Sequence, residues 1–572
     1  MRARRLLAAV LLLPLAACSQ DPGEGPAGTD LTVVDRSEVH DGGTVRWAVD
    51  TLPATLNVFQ PAATPDTALL AGALLPQLFR TDGRARAVPD PDYLAAAEST
   101  PPGHGPQTVT YRLNPKAVWS DGTPLSVADF ASQWKALTST DPAATTERPE
   151  GYAAVESVAR GADEREVKVV FKQPYAPWRT LFSPLYPAAA TASPAAFGQP
   201  LTNAPSAGPF TVRGFDREGG RATVVRNPRW WGDRAKAEAI EFVAVPPERR
   251  LEALAKGELD LAPVTETVDH AAPAGATAAA PPDAAALAEA ATRALRSAET
   301  TPGVHLHRAA APAVAQLTLN GTRGPLADQT VRRAVAAAVD RTAVAEAALA
   351  PLGLPAVPVG HHLLTADQDG YRDNSPAAGR EDPAALFDRA GWPLSGNVRR
   401  HDGQDLTLTL LLPEGSATAR RTAEALTAAL ARAGVTLRTR TAPADAFLRD
   451  HLATGDYDLA LFGWPAAPDP AAAAVRYAKS QPGPDGRPLV GRNYARTGTE
   501  EIDRLLARAT AELDPAARRS LIHEADARIW QLGHSVPLHP RPDLVATRDT
   551  LANAGAFGLA TPRFQDIGFR ED

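Results

Sequence analysis

The sequence of 572 residues has very little cysteine, since it contains a single one. One thiol excludes internal disulfides, zinc knuckles and thiolate-ligated clusters, because each of these needs more than one cysteine. Beyond its first five residues the sequence also lacks any run of lysine and arginine, and its net charge is −7, which argues against binding to nucleic acid. Hydrophobic residues make up 44% of the chain and charged residues 22%, a balance typical of soluble globular proteins.

The single cysteine, Cys18, follows a segment with the pattern of an export signal. Residues 2–5 are mostly arginine, and Leu6 to Ala17 form an apolar run of twelve residues. This run is shorter than the roughly 20 residues that span a bilayer, and it has the length of the apolar part of a secretory signal. No later stretch of the sequence approaches the length of a membrane span. The sequence therefore predicts an exported chain.

Residues 15–18, Leu-Ala-Ala-Cys, resemble the lipobox of bacterial lipoproteins, whose cysteine becomes the first residue of the mature protein and carries lipid. The alternative is an ordinary cleavage site with a cysteine nearby by chance. Because the only cysteine falls at the one position that the motif requires, the sequence favours lipidation of Cys18, at the end of a signal peptide of residues 1–18. Residues 19–35 are rich in glycine, proline and acidic side chains, and we predict a flexible tether there.

Between residues 405 and 470, strand-length apolar runs alternate with helical patterns. The predicted elements are, in order, a strand at 406–412, a helix at 417–433, a strand at 435–440, a short helix at 443–453 and a strand at 459–464. Such an order implies parallel strands joined by right-handed crossovers. Because ligands bind beyond the carboxyl ends of parallel strands, residues 413–416 and Gly463-Trp464-Pro465 are predicted to lie at a binding edge.

Two further helices are predicted from their N-terminal caps. Ser126 and Asp129 fit a capping box, in which each side chain bonds the backbone of the other residue. Asp328 is predicted to cap a second helix, which places Val331, Val335 and Val339 on one face. The Arg332-Arg333 pair is predicted to lie on a solvated face of this helix, with one lobe contact.

Eight short motifs, taken in order, resemble the family of extracellular solute-binding proteins that serve oligopeptide, dipeptide and nickel ABC importers. The match covers roughly residues 40–545, and its most specific part is Trp119–Phe130. The motifs are Gly42-Gly43-Thr44, Ala54-Thr55-Leu56-Asn57, Trp119–Phe130, Gly208-Pro209-Phe210, Arg226–Trp231, Leu326–Arg341, Gly455–Asp458 with Gly463-Trp464, and Ser535–Leu538.

The resemblance implies an α/β fold of the type II periplasmic-binding-protein class, a two-lobed clamshell with an inserted subdomain. Lobe I is expected to comprise residues 36–315, with the inserted subdomain at about 75–200, and to be completed by residues 536–572. Lobe II is expected at residues 316–535. An alanine- and proline-rich segment, 263–312, predicts no particular fold.

The function implied by the resemblance is that of a lipid-anchored receptor on the outer face of the cell membrane. Such a receptor captures a peptide or a related small polar solute and delivers it to an ABC permease that has a separate ATPase. We expect a monomer without cofactor or enzymatic activity. Two alternatives are a ligand-sensing or cell-envelope lipoprotein without a transporter, and an exported hydrolase, although no nucleophile-elbow, zinc-protease or P-loop motif appears.

The candidate binding residues include the Gly-Trp pair at the end of the third strand. Trp464, flanked by Gly463 and Pro465, is predicted to form an aromatic wall of the cleft, and core packing is the alternative. In peptide binders of the family, an Asp in a "GWxxD" pattern pairs with the α-amino group of the ligand. Here Ala467 stands at that position, so Asp469 either supplies the charge from a shifted place or is a structural Asp.

Further candidates come from the resemblance alone. Thr51, Leu52 and Pro53 are expected near the cleft, with a plain loop exit as the alternative. Asn493 and Tyr494 match a family Asn in a lobe II loop, with a surface loop as the alternative, and His539 stands where family members often have an aromatic cleft residue.

The adjacent pair His361-His362 raises the question of a metal such as nickel. Neighbouring residues diverge on a helix and face opposite ways on a strand, so the pair alone is a poor chelate. We predict that both histidines lie in a solvent-exposed loop and bind no metal.

Overall fold

The computed structural model describes residues 28–141, 146, 151–264, 293, 295–443, 446–467, 469–482, 488–489 and 491–571. Cys18, most of the tether, and residues 265–292 and 294 of the alanine- and proline-rich segment therefore lie outside the described residues. Within the described ranges, no helix combines the length and the apolar character needed to cross a membrane.

Strands occur from Asp30 to Phe569 of the described residues. In chain order they are β1 (Asp30–Leu31), β2 (Thr44–Val49), β3 (Phe79–Thr81), β4 (Ala87–Pro89), β5 (Leu94–Ser99), β6 (Thr108–Leu113), β7 (Val155–Arg160), β8 (Glu166–Phe171), β9 (Phe210–Asp216), β10 (Arg221–Arg226), β11 (Ala239–Ala244), β12 (Leu261–Pro263), β13 (Val304–Leu319), β14 (Leu394–Ser395), β15 (Val398–His401), β16 (Gln404–Asp405), β17 (Thr407–Pro413), β18 (Thr436–Ala442), β19 (Leu459–Pro465), β20 (Gln481–Pro482), β21 (Pro488–Leu489), β22 (Ser535–Arg548), β23 (Leu551–Ala552), β24 (Gly555–Ala556) and β25 (Gly568–Phe569).

The α-helices of the described residues lie between these strands in the chain. They are α1 (Pro65–Leu74), α2 (Val127–Thr138), α3 (Pro194–Phe197), α4 (Pro247–Ala255), α5 (Gln329–Ala338), α6 (Arg341–Leu349), α7 (Pro383–Arg389), α8 (Ala417–Arg432), α9 (Glu500–Ala511) and α10 (Pro515–Leu532). A π-helix at Phe447–Leu452 and a 3-10 helix at Pro470–Arg476 flank β19.

A ten-stranded sheet runs through the molecule in the order β18-β17-β19-β13-β22-β12-β2-β11-β10-β9. Its centre is the antiparallel pair of the two long strands β13 and β22. The first half of β13 pairs with the end of β22, and after a register shift between Ala310 and Val314 its second half pairs with the start of β22. We call this shift, residues 310–314 with 540–542, the strand crossing.

The hydrophobic core is divided at the strand crossing. A large aromatic-rich cluster lies on one side and includes Trp47, Trp178 and Phe242, and a second cluster around α5, α8 and β17 lies on the other. A smaller four-stranded sheet, β5-β6-β8-β7, packs beside α2 within the first part. Two bodies therefore share one sheet, and the long strands β13 and β22 connect them. We refer to the body with the aromatic-rich core as lobe I and to the other body as lobe II.

The predicted β-α-β-α-β unit is confirmed. β17 pairs in parallel with both β18 and β19, and α8 connects the first two strands. The short helix predicted at 443–453 is the π-helix Phe447–Leu452, while residues 444–445 lie outside the described residues. The carboxyl end of β19, which carries Trp464, is therefore placed at the edge that the sequence indicated.

The cap predictions are confirmed, but one helix is shorter than predicted. Ser126 and Asp129 form the capping box of α2, and Asp328 caps α5. That helix ends at Ala338, and Val339 is its extended C-cap residue. The break has a local cause, because the Asp340 side chain accepts the Ala343 backbone N–H at 3.1 Å and so starts a new helix, α6.

The end of the predicted tether is ordered. Asp30 and Leu31 form β1, which pairs antiparallel with β24. The Asp30 carboxylate also accepts the backbone N–H of Arg308, at the lobe I end of β13. In this short stretch, backbone pairing outweighs the flexibility that the composition predicts.

Candidate ligand site at the strand crossing

The carboxyl end of β19 lies directly against the strand crossing. Trp464 pairs with Val314, and Pro465 pairs with Ala313. The Ala466 backbone N–H donates to the Pro312 carbonyl at 2.7 Å. Prolines cannot donate to a strand ladder, and residues 312, 540 and 542 are all proline, so regular pairing is interrupted where the chain passes between the two bodies.

Trp464 is half-buried and belongs to a group of aromatic side chains. Its ring stacks on Tyr494, with ring centroids 5.6 Å apart and planes within 4°, and meets Phe462 edge to face at 5.4 Å. The guanidinium carbon of Arg476 lies 4.5 Å from the centroid of the Trp464 ring. Trp464 is therefore held in place by its neighbours while part of its surface stays accessible at the crossing.

Arg476 is the last residue of the 3-10 helix that follows the loop after β19. Burial lowers the pKa of its guanidinium, and nearby Arg492 acts in the same direction. Over the described part of the chain, no carboxylate pairs with this guanidinium and no acceptor receives a hydrogen bond from it. The guanidinium over the Trp464 ring is therefore a partly desolvated positive charge that has no counter-ion among the described residues.

Gly463 is packed closely on the opposite side of β19. A Cβ atom at this position would lie 2.5 Å from Cδ of Arg541, a residue of β22. A larger residue at this position would therefore require the Arg541 side chain to move. Pro465 is exposed.

Asp469 holds the loop together. Its carboxylate accepts the backbone N–H of Ala471 at 2.9 Å, which caps the 3-10 helix, and it forms an ion pair with Arg518. The carboxylate is buried, and its two partners occupy it. These contacts favour the structural alternative, and the loop supplies no free carboxylate in place of the one that Ala467 lacks.

The side chain of Asn493 is also fully engaged in hydrogen bonds to nearby backbone groups. Its amide group donates to the carbonyls of Ala478 and Thr497 at 2.7 Å, and its carbonyl oxygen accepts the Arg496 N–H. The residue is 2% exposed. We assign Asn493 a structural role. The residue of this loop that reaches the aromatic group is its neighbour Tyr494.

His539 is buried between β22 and α8. Its Nε2 lies 3.2 Å from the Thr422 hydroxyl, and its Nδ1 lies 2.9 Å from the Pro540 carbonyl. It borders the strand crossing, but its ring is 1% exposed. In the form the structure describes, the ring faces the protein interior.

Thr51, Leu52 and Pro53 follow β2 on the lobe I side. The Thr51 backbone N–H donates to the Asp66 carboxylate at 3.1 Å, and the Pro53 carbonyl accepts from Arg217 at 3.4 Å. Leu52 packs against the first core. The three residues form a fixed turn, and its neighbour Asp66 is a residue that sequence reasoning missed.

Two carboxyl groups on the lobe I side have raised pKa values. Burial raises the pKa of Asp66 to about 6, and the charge of nearby Asp50 acts in the same direction. Burial likewise raises the pKa of Asp543, next to the crossing on β22, to about 6, against one backbone hydrogen bond from Gly558. No sequence pattern marked either residue, because their burial depends on the packing of distant segments.

The prediction that His361 and His362 lie in a solvent-exposed loop is wrong. The His362 Nδ1 lies 2.7 Å from the buried Asp526 carboxylate, and its Nε2 lies 3.0 Å from the Ser535 carbonyl. The His361 Nδ1 accepts the Leu363 N–H at 3.0 Å, and burial lowers the pKa of His361 to about 4. The pair fastens its loop to α10 through Asp526.

One group of described residues has the composition of a metal site. Ligand atoms of Asp30, His305 and His307 lie within 4.8 Å of one another. The His307 Nε2 lies 2.9 Å from the Thr547 hydroxyl, and the second carboxylate oxygen of Asp30 accepts the Arg308 N–H. The group lies at the lobe I end of β13, away from Trp464.

Comparison with known proteins supplies the family context for this geometry. Residues 93–485 match the family model described as "Bacterial extracellular solute-binding proteins, family 5 Middle". The oligopeptide-binding protein OppA of Mycobacterium tuberculosis (strain ATCC 25618 / H37Rv) is 35% identical over 550 residues, which cover 95% of this chain and 87% of that protein. The probable monoacyl phosphatidylinositol tetramannoside-binding protein LpqW of the same strain is 27% identical over 345 residues, 58% of this chain and 50% of LpqW.

Solved structures with the same fold cover nearly the whole chain. The periplasmic EDTA-binding protein EppA superposes with a TM-score of 0.80 at 24% identity, over 96% of this chain and 100% of EppA. The oligopeptide-binding protein AppA from Bacillus subtilis, solved with a nonapeptide, gives a TM-score of 0.69 at 14% identity, over 93% of this chain and 100% of AppA. These likenesses confirm the predicted two-lobed α/β fold.

Proposed function

Because the chain belongs to family 5 of the bacterial extracellular solute-binding proteins, we propose that it is the lipid-anchored receptor of an ABC importer. It captures a peptide or a related small polar solute between its two lobes. A separate permease and ATPase then take up the solute, and the receptor itself performs no covalent chemistry.

The observation that carries this proposal is the position of Trp464. A half-buried tryptophan stands where the chain passes between the lobes, and it is braced by Tyr494 and Phe462. A ligand enclosed there meets a rigid aromatic surface and nearby charges, which suit a polar solute. The 35% identity to a protein named as an oligopeptide-binding protein favours a peptide-like solute.

The lobe movement expected of such a receptor has a physical basis in the strand crossing. β13 and β22 continue from one core to the other, and their regular pairing is interrupted between Ala310 and Val314. Hinges are short segments that absorb backbone changes while the bodies on either side stay rigid. We propose that the lobes close about this segment when a solute binds.

Membrane anchoring through Cys18 is proposed from the lipobox alone. A Cys18→Ala variant leaves no thiol for lipid attachment, and we expect the protein to move from the membrane fraction to the soluble fraction or the medium. Fractionation of cells expressing both forms, followed by immunoblotting, measures this. Retention of the variant in the membrane fraction would contradict the anchor.

The receptor function is tested by native mass spectrometry of the chain from residue 19 onward, before and after denaturation. A released mass, or a ladder of masses that differ by residue weights, identifies a bound solute, and peptide masses are the expected result. A protein that carries no solute and binds none from a tryptic digest of casein would contradict the peptide proposal.

A further inference from the structure

The charge beside the Gly-Trp pair is opposite to the charge that captures a peptide amine. The resemblance places a carboxylate at position 467, but the residue is alanine. The only carboxylate supplied by the described part of the loop, Asp469, is bound to Arg518 and to the Ala471 N–H. The charged group that lies over Trp464 is instead the guanidinium of Arg476.

Further positive charge lies near this guanidinium. Arg492 is near enough to influence Arg476 electrostatically and acts to lower its pKa. The ion pairs of Arg518 with Asp469 and of Lys479 with Glu500 show that nearby cations have partners, whereas Arg476 has no carboxylate partner among the described residues.

This arrangement favours one sign of ligand charge. A partly buried charge without a counter-ion is costly, and a second positive charge beside it adds repulsion. A carboxylate that approaches the guanidinium gains charge-assisted hydrogen bonds, which are about twice as strong as neutral ones. The planar guanidinium can bind both oxygens of a carboxylate while it remains stacked on the indole.

We propose that Arg476, held on the Trp464 ring, forms a carboxylate-binding subsite and selects a solute that presents an acid group to lobe II. This inference rests on the proposed receptor function and names the ligand chemistry that the receptor prefers. A peptide bound in this way places its carboxyl terminus or an acidic side chain, and not its amino terminus, beside Trp464.

The chain provides a matched control for this subsite. Arg179 lies over Trp178 with its guanidinium carbon 4.3 Å from the ring centroid, and burial also lowers its pKa. However, Arg179 is exposed and stands on the first body, whereas Arg476 is half-buried at the crossing. Arg179→Gln therefore removes an equivalent cation–π pair without removing the proposed subsite.

The test compares four probes on the chain from residue 19 onward, after unfolding and refolding to remove bound solute. The probes are a tryptic digest of casein, the same digest with its carboxyl groups methyl-esterified, the same digest with its amino groups acetylated, and citrate. Occupancy is measured by native mass spectrometry for the wild-type protein and for Arg476→Gln, Arg476→Lys and Arg179→Gln. Melting temperatures report whether each variant is folded.

We expect wild-type protein to retain the acetylated digest and to lose on the order of tenfold or more in affinity for the esterified one. Arg476→Gln should bind the free and esterified digests equally, Arg476→Lys should keep part of the preference, and Arg179→Gln should behave like wild type. Equal binding of both digests by wild type overturns the inference. The inference is also overturned if folded Arg476→Gln keeps the wild-type preference for the free digest over the esterified one, or if Arg179→Gln loses that preference.

Failure of the receptor proposal has a different signature. If no casein peptide binds but citrate does, and Arg476→Gln abolishes citrate binding, the peptide proposal is wrong while the carboxylate subsite stands. If wild type binds neither the digests nor citrate, the subsite proposal is overturned as well.

Discussion

Trp178 and Trp464 each carry an arginine over the ring, but their surroundings differ. Trp178 is 3% exposed and packs edge to face against Phe79 and Tyr111 in the large aromatic core, and Arg179 above it is exposed. Trp464 is half-buried at the strand crossing, and Arg476 above it is half-buried too. The Trp178 ring is buried beneath an arginine that is largely exposed, whereas at Trp464 both the ring and the arginine are half-buried.

The difference shows that a cation over an indole does not by itself mark a binding site. Burial lowers the pKa of both guanidinium groups, but the Trp178 ring is buried in the core and Arg179 is largely exposed to water. At Trp464 the ring keeps accessible surface, and among the described residues no carboxylate pairs with Arg476. We therefore assign a structural role to the first pair, and the proposed ligand-binding role concerns only the second.

Trp178→Ala should have the largest effect, because it tests the structural role of the buried ring. Truncating a buried tryptophan leaves a cavity, so we expect a loss of about 3–5 kcal/mol in the free energy of unfolding, measured by denaturant titration. The fraction that remains folded should bind the casein digest with unchanged affinity. A loss of affinity in the folded fraction would mean that Trp178 also serves the binding site.

Asp469→Ala tests whether Asp469 stabilises the fold through Arg518 or takes part in binding beside Arg476. The variant leaves Arg518 without its partner in a mostly buried ion pair and removes a helix cap, so a loss of about 3 kcal/mol in stability is expected. Asp405→Ala, which breaks the exposed pair with Arg400, is the control and should change stability little. A reduced preference for free carboxyl groups without loss of stability would contradict the structural role of Asp469.

Trp464→Ala should have the opposite profile to Trp178→Ala. We expect affinity for the casein digest to fall by about tenfold or more, with a smaller loss of stability than Trp178→Ala shows, because the ring is only half-buried. Trp392→Ala removes another half-buried tryptophan of lobe II and serves as the control for affinity. Unchanged affinity in Trp464→Ala would place this ring in the core and the binding site elsewhere.

The smallest effect concerns Asp66, the buried carboxyl group beside Thr51. The pKa of Asp66 is raised to about 6, above the ordinary value of 3.8. Its contribution to the stability of the ligand-free protein is therefore complete below pH 4 and is lost as the pH rises towards 6. The melting temperature of Asp66→Asn should fall less than that of wild type between pH 4 and 6.5. The control Asp402→Asn, which changes an exposed carboxyl group, should follow wild type. If the melting temperature of Asp66→Asn falls with pH as steeply as that of wild type, the raised pKa is contradicted.

Local patterns in the sequence predicted much of the fold. Strand periodicity and caps located β17, α8 and β19, because these features depend on neighbouring residues. The same reasoning missed the break at Val339, where the cap formed by Asp340 outweighs a continuous helical pattern. It also missed Arg332, which is 4% exposed and donates to the Leu326 carbonyl although arginine usually indicates a solvated helix face.

The site was less predictable because its properties arise from contacts between distant segments. Trp464 was placed at a strand end by sequence, but Arg476 and Tyr494 reach its ring only through the folding of the loops after β19. Asp526, in α10, is the buried partner of His362, and no local pattern indicates a partner 164 residues away. Charge and burial at the crossing are therefore visible only in three dimensions.

The most direct test of the account locates a bound solute by amide hydrogen exchange of ligand-free and casein-digest-loaded protein. The account predicts slower exchange on loading at Gly463, Trp464 and Ala466, and in residues 313–316 across the strand crossing, because ligand contacts suppress local opening. Exchange that stays the same there, with protection instead around Arg179 and residues 84–97, would contradict a binding site at Trp464.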